Sequence, residues 1–384
     1  MIQRLTEKPH VIFLFSDTGG GHRSAAEAII EAINLEFPNR LTTEMIDIFR
    51  DIAPPPMDHM PAVYPPLSRM PDVWKWGYHL SDGQRRTRAI NEMFWPYVSR
   101  AAYRLVDEYP CDLYVSVHPV ANTPVLRALG PGNRIPFYTV VTDMVSTHAF
   151  WYHSWSDLVV VATAEARERA LLHGLKSEQI RVIGLPVADR FCQPPGDRRA
   201  LRAQLGWPQD LPVIILVGGG EGMGPLERTA HAIAEAGFAA AMVVITGRNR
   251  KLKSRLENAE WPLPVFVYGF VREMPDFMRA ADILVTKAGP GTICEAFIAG
   301  LPMILYSRMP GQEDGNVDYV IAKNAGVWAP QPRQVVEVIK NWLDNPAERE
   351  KVAATCRSLA RPDAARQIAR LIAERLDVPA ATGR

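Results

Sequence analysis

Cysteine is scarce in this sequence, and the four present, Cys111, Cys192, Cys294 and Cys356, stand isolated with no C-x-x-C pair. A disulfide framework and a cysteine zinc site are therefore not indicated, and reduced thiols are the simplest reading. Long apolar runs are missing as well. No stretch approaches the roughly 18 consecutive apolar residues of a membrane span. The first apolar run, Val11 to Phe15, is far too short for a signal h-region. Net charge is nearly absent, at +1. The chain is thus not held on nucleic acid by overall charge, and any membrane contact must come from a local patch.

What is there looks like an ordinary soluble protein with enough apolar material for two cores: 384 residues, 47% hydrophobic and 22% charged. Short β-type runs alternate with amphipathic stretches. In the first half, strands are expected at Val11–Ser16, Thr42–Ile48, Leu113–Val117, Phe137–Val141, Leu158–Val161 and Arg181–Ile183. Helices are expected near Gly21–Phe37, Gln84–Glu108 and Ala164–His173. Cys-Gln-Pro-Pro-Gly-Asp-Arg-Arg from Cys192 reads as an interdomain linker. A second series follows, with strands at Val213–Val217, Met242–Thr246, Val265–Tyr268, Ile283–Thr286 and Pro302–Tyr306. The α/β alternation predicts two doubly wound parallel sheets whose ligand loops share a cleft. The domains are placed at 1–190 and 200–360, with a final helix in 361–384 that could pack back on the first domain.

The segment of about 52–103 breaks this alternation. Prolines 54, 55, 56, 61, 65, 66 and 71 are interleaved with Met57, Met60, Tyr64, Leu67, Met70, Trp74 and Trp76, and Arg85, Arg86 and Arg88 follow. An insertion this long is either disordered or functional. Its aromatics either dip into a lipid interface, with the arginines meeting anionic headgroups, or fill a small core of their own.

Three glycine-rich loops close strands. The first, Ser16-Asp17-Thr18-Gly19-Gly20-Gly21-His22-Arg23, opens a helix and carries His22 at its mouth. Such a loop lets backbone amides approach a ligand, although any doubly wound fold needs a tight turn there. A dinucleotide fingerprint fits poorly, since Ser24 stands where its last glycine belongs. The second loop, Gly218-Gly219-Gly220-Glu221-Gly222-Met223-Gly224, has more glycine than a turn requires, and a diphosphate is its natural ligand. In the third, Thr286-Lys287-Ala288-Gly289-Pro290-Gly291-Thr292-Ile293-Cys294-Glu295, Glu295 could accept two hydrogen bonds from a ribose diol. Thr292-x-x-Glu295 also reads as a capping box needing no ligand. Gln312, Glu313 and Asn316, in a polar loop after the next strand, have side chains able to bond sugar hydroxyls.

Seven segments in order resemble the monogalactosyldiacylglycerol synthase branch of the inverting UDP-dependent glycosyltransferases. They are SDTGGGHRSAAEAI from Ser16, VSVHP from Val115, VVTDMVSTHAFWYH from Val140, GGGEGMGPLE from Gly218, TGRN from Thr246, TKAGPGTICEA from Thr286 and PGQEDGNVDYV from Pro310. The resemblance implies a GT-B fold, two Rossmann-like domains with UDP held mostly by the second. It places Gly220, Glu221, Gly222 and Met223 near diphosphate or sugar, Arg248 on phosphate, the backbone near Phe270 on uracil and Glu295 on ribose. Lys287, Gly289, Gly291 and Thr292 line the same donor site, while Gln312, Glu313 and Asn316 bind hexose and phosphates. No Asp-x-Asp motif occurs, so neither a metal nor another cofactor is expected. The implied reaction moves galactose or glucose from a UDP-sugar to the sn-3 hydroxyl of 1,2-diacylglycerol in one inverting displacement. His22 is the candidate general base, with Asp17 and Asp143 as weaker candidates. Trp74, Trp76, Arg85, Arg86 and Arg88 are the expected acceptor and membrane contacts, on a protein peripheral to the cytoplasmic face. Transfer to another lipid-linked acceptor, a UDP-sugar epimerase and a sugar-nucleotide-binding regulator remain as alternatives.

Overall fold

The computed structural model describes residues 8–18, 20–63, 70–132, 134–194 and 196–379. Gly19 of the first glycine loop, Tyr64, Pro65, Pro66 and Leu67 of the insertion, and Pro195 of the linker lie outside the described residues. The chain divides into two compact units, one of residues 1–189 with 363–384 and one of residues 190–362.

The first unit is built on six parallel strands: β1 (His10–Phe15), β2 (Thr42–Asp47), β3 (Leu113–Ser116), β4 (Phe137–Val140), β5 (Leu158–Val161) and β6 (Ile180–Val182). Their order is β2-β1-β3-β4-β5-β6. β3, β4 and β5 are buried along their whole length, which is why they read as continuous apolar runs rather than alternating ones. The helix Gly21–Glu36 buries Ala26, Ile29 and Ile33 in one core, together with Ile368 and Ile372 of the helix Ala364–Arg375. Arg366 and Arg370 of that last helix pair with Glu36 at 3.1 and 2.7 Å.

The second unit repeats the architecture with β7 (Val213–Val217), β8 (Ala241–Ile245), β9 (Val265–Tyr268), β10 (Ile283–Lys287), β11 (Met303–Ser307) and β12 (Gly326–Trp328), ordered β12-β11-β10-β7-β8-β9. In both sheets the chain switches direction at an inner pair, β1 and β3 in one, β7 and β10 in the other. A switch point opens a crevice beyond the strands' carboxyl ends. All three glycine loops leave from these four strands.

The expected strands lie within one residue of those observed. β12 has no counterpart in the sequence reading, being only three half-buried residues long. The helices Pro71–Ser81, Pro119–Leu129, Arg198–Leu205, Arg250–Glu257 and Pro346–Leu359 are likewise new. Three of these begin on proline, which reads as a break but suits the first helical position, where no N–H partner is needed. The helix Arg198–Leu205 stands where a linker was read; Asp197 caps it by accepting the N–H of Arg199 and of Ala200.

Candidate active site

In the first unit, His22 opens the helix after β1, and the loops after β3 and β4 close around its ring. Its Nδ1 lies 2.8 Å from the Val117 carbonyl and 2.9 Å from Thr142 Oγ1. A carbonyl oxygen only accepts, so Nδ1 carries the proton and Nε2 keeps the lone pair. Among the described residues nothing hydrogen-bonds Nε2. Burial lowers the His22 pKa to about 4, against the opposing pull of the Val117 carbonyl. The imidazole is therefore a neutral acceptor throughout the physiological range, rather than a group titrating near pH 6.5.

His118 stands edge-on to His22, with ring centroids 4.5 Å apart. Its Nδ1 accepts the Val120 N–H at 3.4 Å, so Nε2–H donates to Thr18 Oγ1 at 3.1 Å. Neither weaker candidate base is bonded to His22. Asp17 receives two hydrogen bonds from Arg23, at 2.6 and 2.8 Å. Asp143 is buried and accepts the Trp151 indole N–H at 2.6 Å, and that indole lies 6.1 Å from the His22 ring. Thr142, His118 and Trp151 thus shape the site without having been singled out in the sequence. They lie inside the quoted VSVHP and VVTDMVSTHAFWYH segments, so position in those motifs was the available signal.

In the second unit, Lys287 at the end of β10 donates to Glu313 Oε1 at 2.5 Å, and the Met309 N–H donates to Glu313 Oε2 at 2.8 Å. Glu313 is therefore buried and fully engaged. Asn316 Nδ2 donates to the Ala288 carbonyl at 2.9 Å, while its Oδ1 and the hydroxyl of Thr286 are buried with no hydrogen-bond partner among the described residues. Orphans of this kind mark a place where a ligand or an ordered water completes the bonding. Gln312, half-buried, precedes Glu313 in the same loop.

The helix Pro290–Ala299 starts one turn earlier than the capping-box reading needs. Gly289 is its N-cap, so Thr292 and Glu295 lie inside the helix. No described side chain hydrogen-bonds the Glu295 carboxyl. Burial pushes its pKa up to about 7, with Arg190 pulling the other way. Gly291 and Thr292 are half-buried in the same first turn, whose free N–H groups favour an anion.

Of the glycines of the β7 loop, Gly218 and Gly222 are needed against neighbouring backbone, while Gly219, Gly220 and Gly224 face side chains. A Cβ on Gly222 would stand 2.3 Å from the Thr246 carbonyl, at a φ of +60°. Gly222→Ala is thus expected to destabilise the protein by about 2 kcal/mol or more, read as a lowered urea midpoint. Gly220 is exposed and packs loosely near Arg248, and Met223 offers its carbonyl to the Tyr306 hydroxyl at 3.2 Å. Arg248 is exposed, pairs with Glu221 at 3.0 Å and lies 4.8 Å over the exposed Phe270 ring. The structure therefore gathers Glu221, Arg248 and Phe270 in one group, and Lys287, Gly289 and Glu313 in another.

Of the expected membrane contacts, Trp76 is 69% exposed and Trp74 half-buried. Arg85 and Arg88 are exposed, and Arg86 donates to the His79 carbonyl at 2.8 Å. Trp76 shares a helix face with Met70, Val73 and Leu80, all about half exposed. Those four face outward, while Trp74 and Tyr78 of the same helix are half-buried. No helix among the described residues is long and apolar enough to cross a membrane.

Residues 22–187 match the family model described as monogalactosyldiacylglycerol (MGDG) synthase, and residues 213–368 match the glycosyltransferase family 28 C-terminal domain. A probable chloroplastic monogalactosyldiacylglycerol synthase of Glycine max is 37% identical over 370 residues, spanning 93% of this chain and 70% of that protein. Monogalactosyldiacylglycerol synthase 1 of Arabidopsis thaliana is 38% identical over 366 residues, spanning 92% and 68%. Among solved structures, Acinetobacter baumannii MurG superposes with a TM-score of 0.61 at 14% identity, covering 95% of this chain and 99% of that one. A UDP complex of S. aureus MnaA gives 0.64 at 13% identity, covering 98% and 100%. At such identities these structures speak to fold alone, and the fold is the α/β GT-B type.

Proposed function

The chain belongs to the monogalactosyldiacylglycerol synthase family, and from that premise we propose that it transfers galactose from UDP-galactose to the sn-3 hydroxyl of 1,2-diacylglycerol. The observation that carries the mechanism is the tautomer of His22: with Nδ1–H held by Val117 and Thr142, the Nε2 lone pair is left to accept a proton. The acceptor oxygen attacks the anomeric carbon of the α-linked donor and its proton passes to Nε2. The new C–O bond forms as the bond to the β-phosphate oxygen breaks, and the electron pair leaves on UDP. One displacement inverts the centre and yields a β-galactoside.

The second unit holds the donor. Glu295 bonds the ribose diol, the first turn of the helix Pro290–Ala299 meets the diphosphate, and Arg248 neutralises leaving-group charge. Asn316 and Thr286 complete their bonding on the hexose side. No cofactor takes part in this scheme. The names of the plant relatives favour galactose over glucose. An epimerase shares the fold, as the UDP-N-acetylglucosamine 2-epimerase of Listeria monocytogenes illustrates with a TM-score of 0.65. The match over nearly the whole chain to synthases favours transfer. The outward face of Met70, Val73, Trp76 and Leu80, with the exposed Lys75 on the same helix and the exposed Arg85 and Arg88 on the next, seats the protein peripherally on an anionic lipid surface.

The test is a radiolabelled transfer assay on diacylglycerol vesicles, with UDP-galactose and UDP-glucose in parallel and EDTA in a matched arm. Galactose is expected to enter lipid, with EDTA leaving the rate unchanged. Label in lipid only from UDP-glucose would overturn the donor assignment. Loss of rate with EDTA would overturn the metal-free leaving-group scheme.

A further inference from the structure

The loop that follows β11 is held from three sides. β11 lies between β10 and β12, and each of these neighbours sends a side chain to the loop. From β10, Lys287 donates to Glu313 Oε1 at 2.5 Å, and the Met309 N–H donates to Glu313 Oε2 at 2.8 Å. From β12, Trp328, in register with Leu305, offers its ring to Arg308, whose guanidinium carbon lies 5.0 Å from the ring centroid. The third hold is the ion pair of Arg308 with Asp314 at 2.9 Å. Asp314 also accepts the Gly311 N–H at 2.9 Å. Gly311 is buried at a φ of +87°, so the chain turns sharply between these partners. Arg308 and Asp314 thus close the loop at its two ends.

Asp314 opens the helix Asp314–Ala322, and Asn316 stands in the same first turn. Asn316 Nδ2 donates to the Ala288 carbonyl at 2.9 Å, while its Oδ1 is buried with no hydrogen-bond partner among the described residues. An acceptor left in this state needs a donor from a ligand or a water. A hexose hydroxyl is such a donor, and whether it reaches Oδ1 depends on where that first turn sits. The pair at the neck of the loop fixes that position. It contributes little else, since both side chains are about a third exposed and ion pairs so solvated add little to stability. A planar guanidinium that stacks on its face and pairs at its edge also fixes direction, which a lysine ammonium does not.

We propose that Arg308, seated on Trp328 and paired with Asp314, is a positioning residue for donor choice: it holds the turn bearing Asn316 where Oδ1 meets galactose and not its 4-epimer glucose. The proposal rests on the reading of the second unit as the UDP-galactose site. Galactose and glucose differ only in the direction of one hydroxyl, so a small displacement of one hydrogen-bond acceptor changes the preference between them. UDP carries no hexose. Its ribose and diphosphate are assigned to Glu295 and to the first turn of the helix Pro290–Ala299, so UDP binding does not sense the displacement.

The experiment uses the full chain with saturating diacylglycerol in vesicles and with UDP-galactose and UDP-glucose as separate donors, while calorimetry follows UDP binding. Arg308→Ala is expected to lower kcat/KM for UDP-galactose by about tenfold or more, the range a misplaced contact costs, and to change UDP-glucose little. The preference for galactose therefore falls, and the affinity for UDP matches that of the wild type. Asp314→Asn still accepts the Gly311 N–H but lacks the charge, and it should shift the preference the same way. The two changes combined should do no more than either alone, since both break one pair. Arg308→Lys, which keeps the charge and loses the stack, should fall between Arg308→Ala and the wild type. The urea midpoint of each variant identifies any failure to fold. An unchanged donor ratio in folded Arg308→Ala and Asp314→Asn would overturn the proposal. So would an equal loss for UDP, UDP-galactose and UDP-glucose, which marks a merely structural role, or a wild type that transfers both sugars equally well. A wild type that transfers no galactose would instead overturn the functional reading itself, and this proposal with it.

Discussion

Replacing His22 by alanine is expected to lower turnover by about two to four orders of magnitude while UDP binding stays near normal. Among the described residues, the other candidates near the ring are already engaged. Asp17 is paired with Arg23 through two hydrogen bonds, and Asp143 is held by Trp151. His118 already uses both ring nitrogens, and burial and the neighbouring His22 keep its pKa well below the usual range. The pH profile sharpens the assignment. A base with a pKa of about 4 is protonated and inactive only below that value, so kcat at saturating UDP-galactose, where the bound ribose keeps Glu295 ionised, should hold constant as pH falls through 6.5 and bend only near 4. An acidic limb near 6.5 in that saturated kcat profile would show that His22 is solvated as an ordinary histidine. Near-normal turnover of His22→Ala would remove it from the role.

The second large effect concerns Glu295. Alanine there is expected to weaken UDP-galactose binding by about a hundredfold, since two charge-assisted hydrogen bonds of roughly 1.5–3 kcal/mol each are lost, less the gain from no longer desolvating a carboxylate. The direction of the pH effect follows from burial. The free protein's carboxyl titrates near 7, and a diol donating to the ionised form pulls that value down on binding. Affinity should therefore rise with pH up to about 7 and level off above it. Binding at pH 6 should release a proton, measurable by calorimetry in buffers of different ionisation enthalpy. UDP-galactose is the right probe, because its diphosphate has no titrating group in this range. Glu295→Gln should flatten the profile. Unchanged affinity in Glu295→Ala would place the ribose elsewhere.

Much of this architecture was legible before any coordinates. Strands such as Leu158–Val161 are wholly buried in a parallel sheet, so their apolar runs are continuous and bounded by turns. The glycine loops announced the strand ends that carry chemistry. Their individual glycines were harder to read, because Gly222 is needed against the Thr246 carbonyl and the sequence does not distinguish a ligand from a neighbouring backbone. Glu295 looked like half of a capping box because Thr292 stands three residues before it. The helix instead begins at Pro290, which places both inside.

Partnerships distant along the chain left no local trace. The meeting of His22 with Thr142, 120 residues away, depends on the order β1-β3-β4 bringing three loops to one switch point. The pairing of Lys287 with Glu313 similarly depends on β10 and β11 being neighbours. The pKa of His22 follows from burial by those loops, so an ordinary near-neutral value was the natural expectation from sequence and differs from what the fold imposes.

The central claim is a single displacement in which His22 Nε2 receives the acceptor proton. The anomeric configuration of the glycolipid made by the wild type from UDP-α-galactose and diacylglycerol, read from the anomeric proton coupling by NMR, tests it most directly. A β-galactosyl lipid is the predicted product; an α-linked product would contradict the mechanism, and free galactose with no glycolipid would contradict the transfer itself.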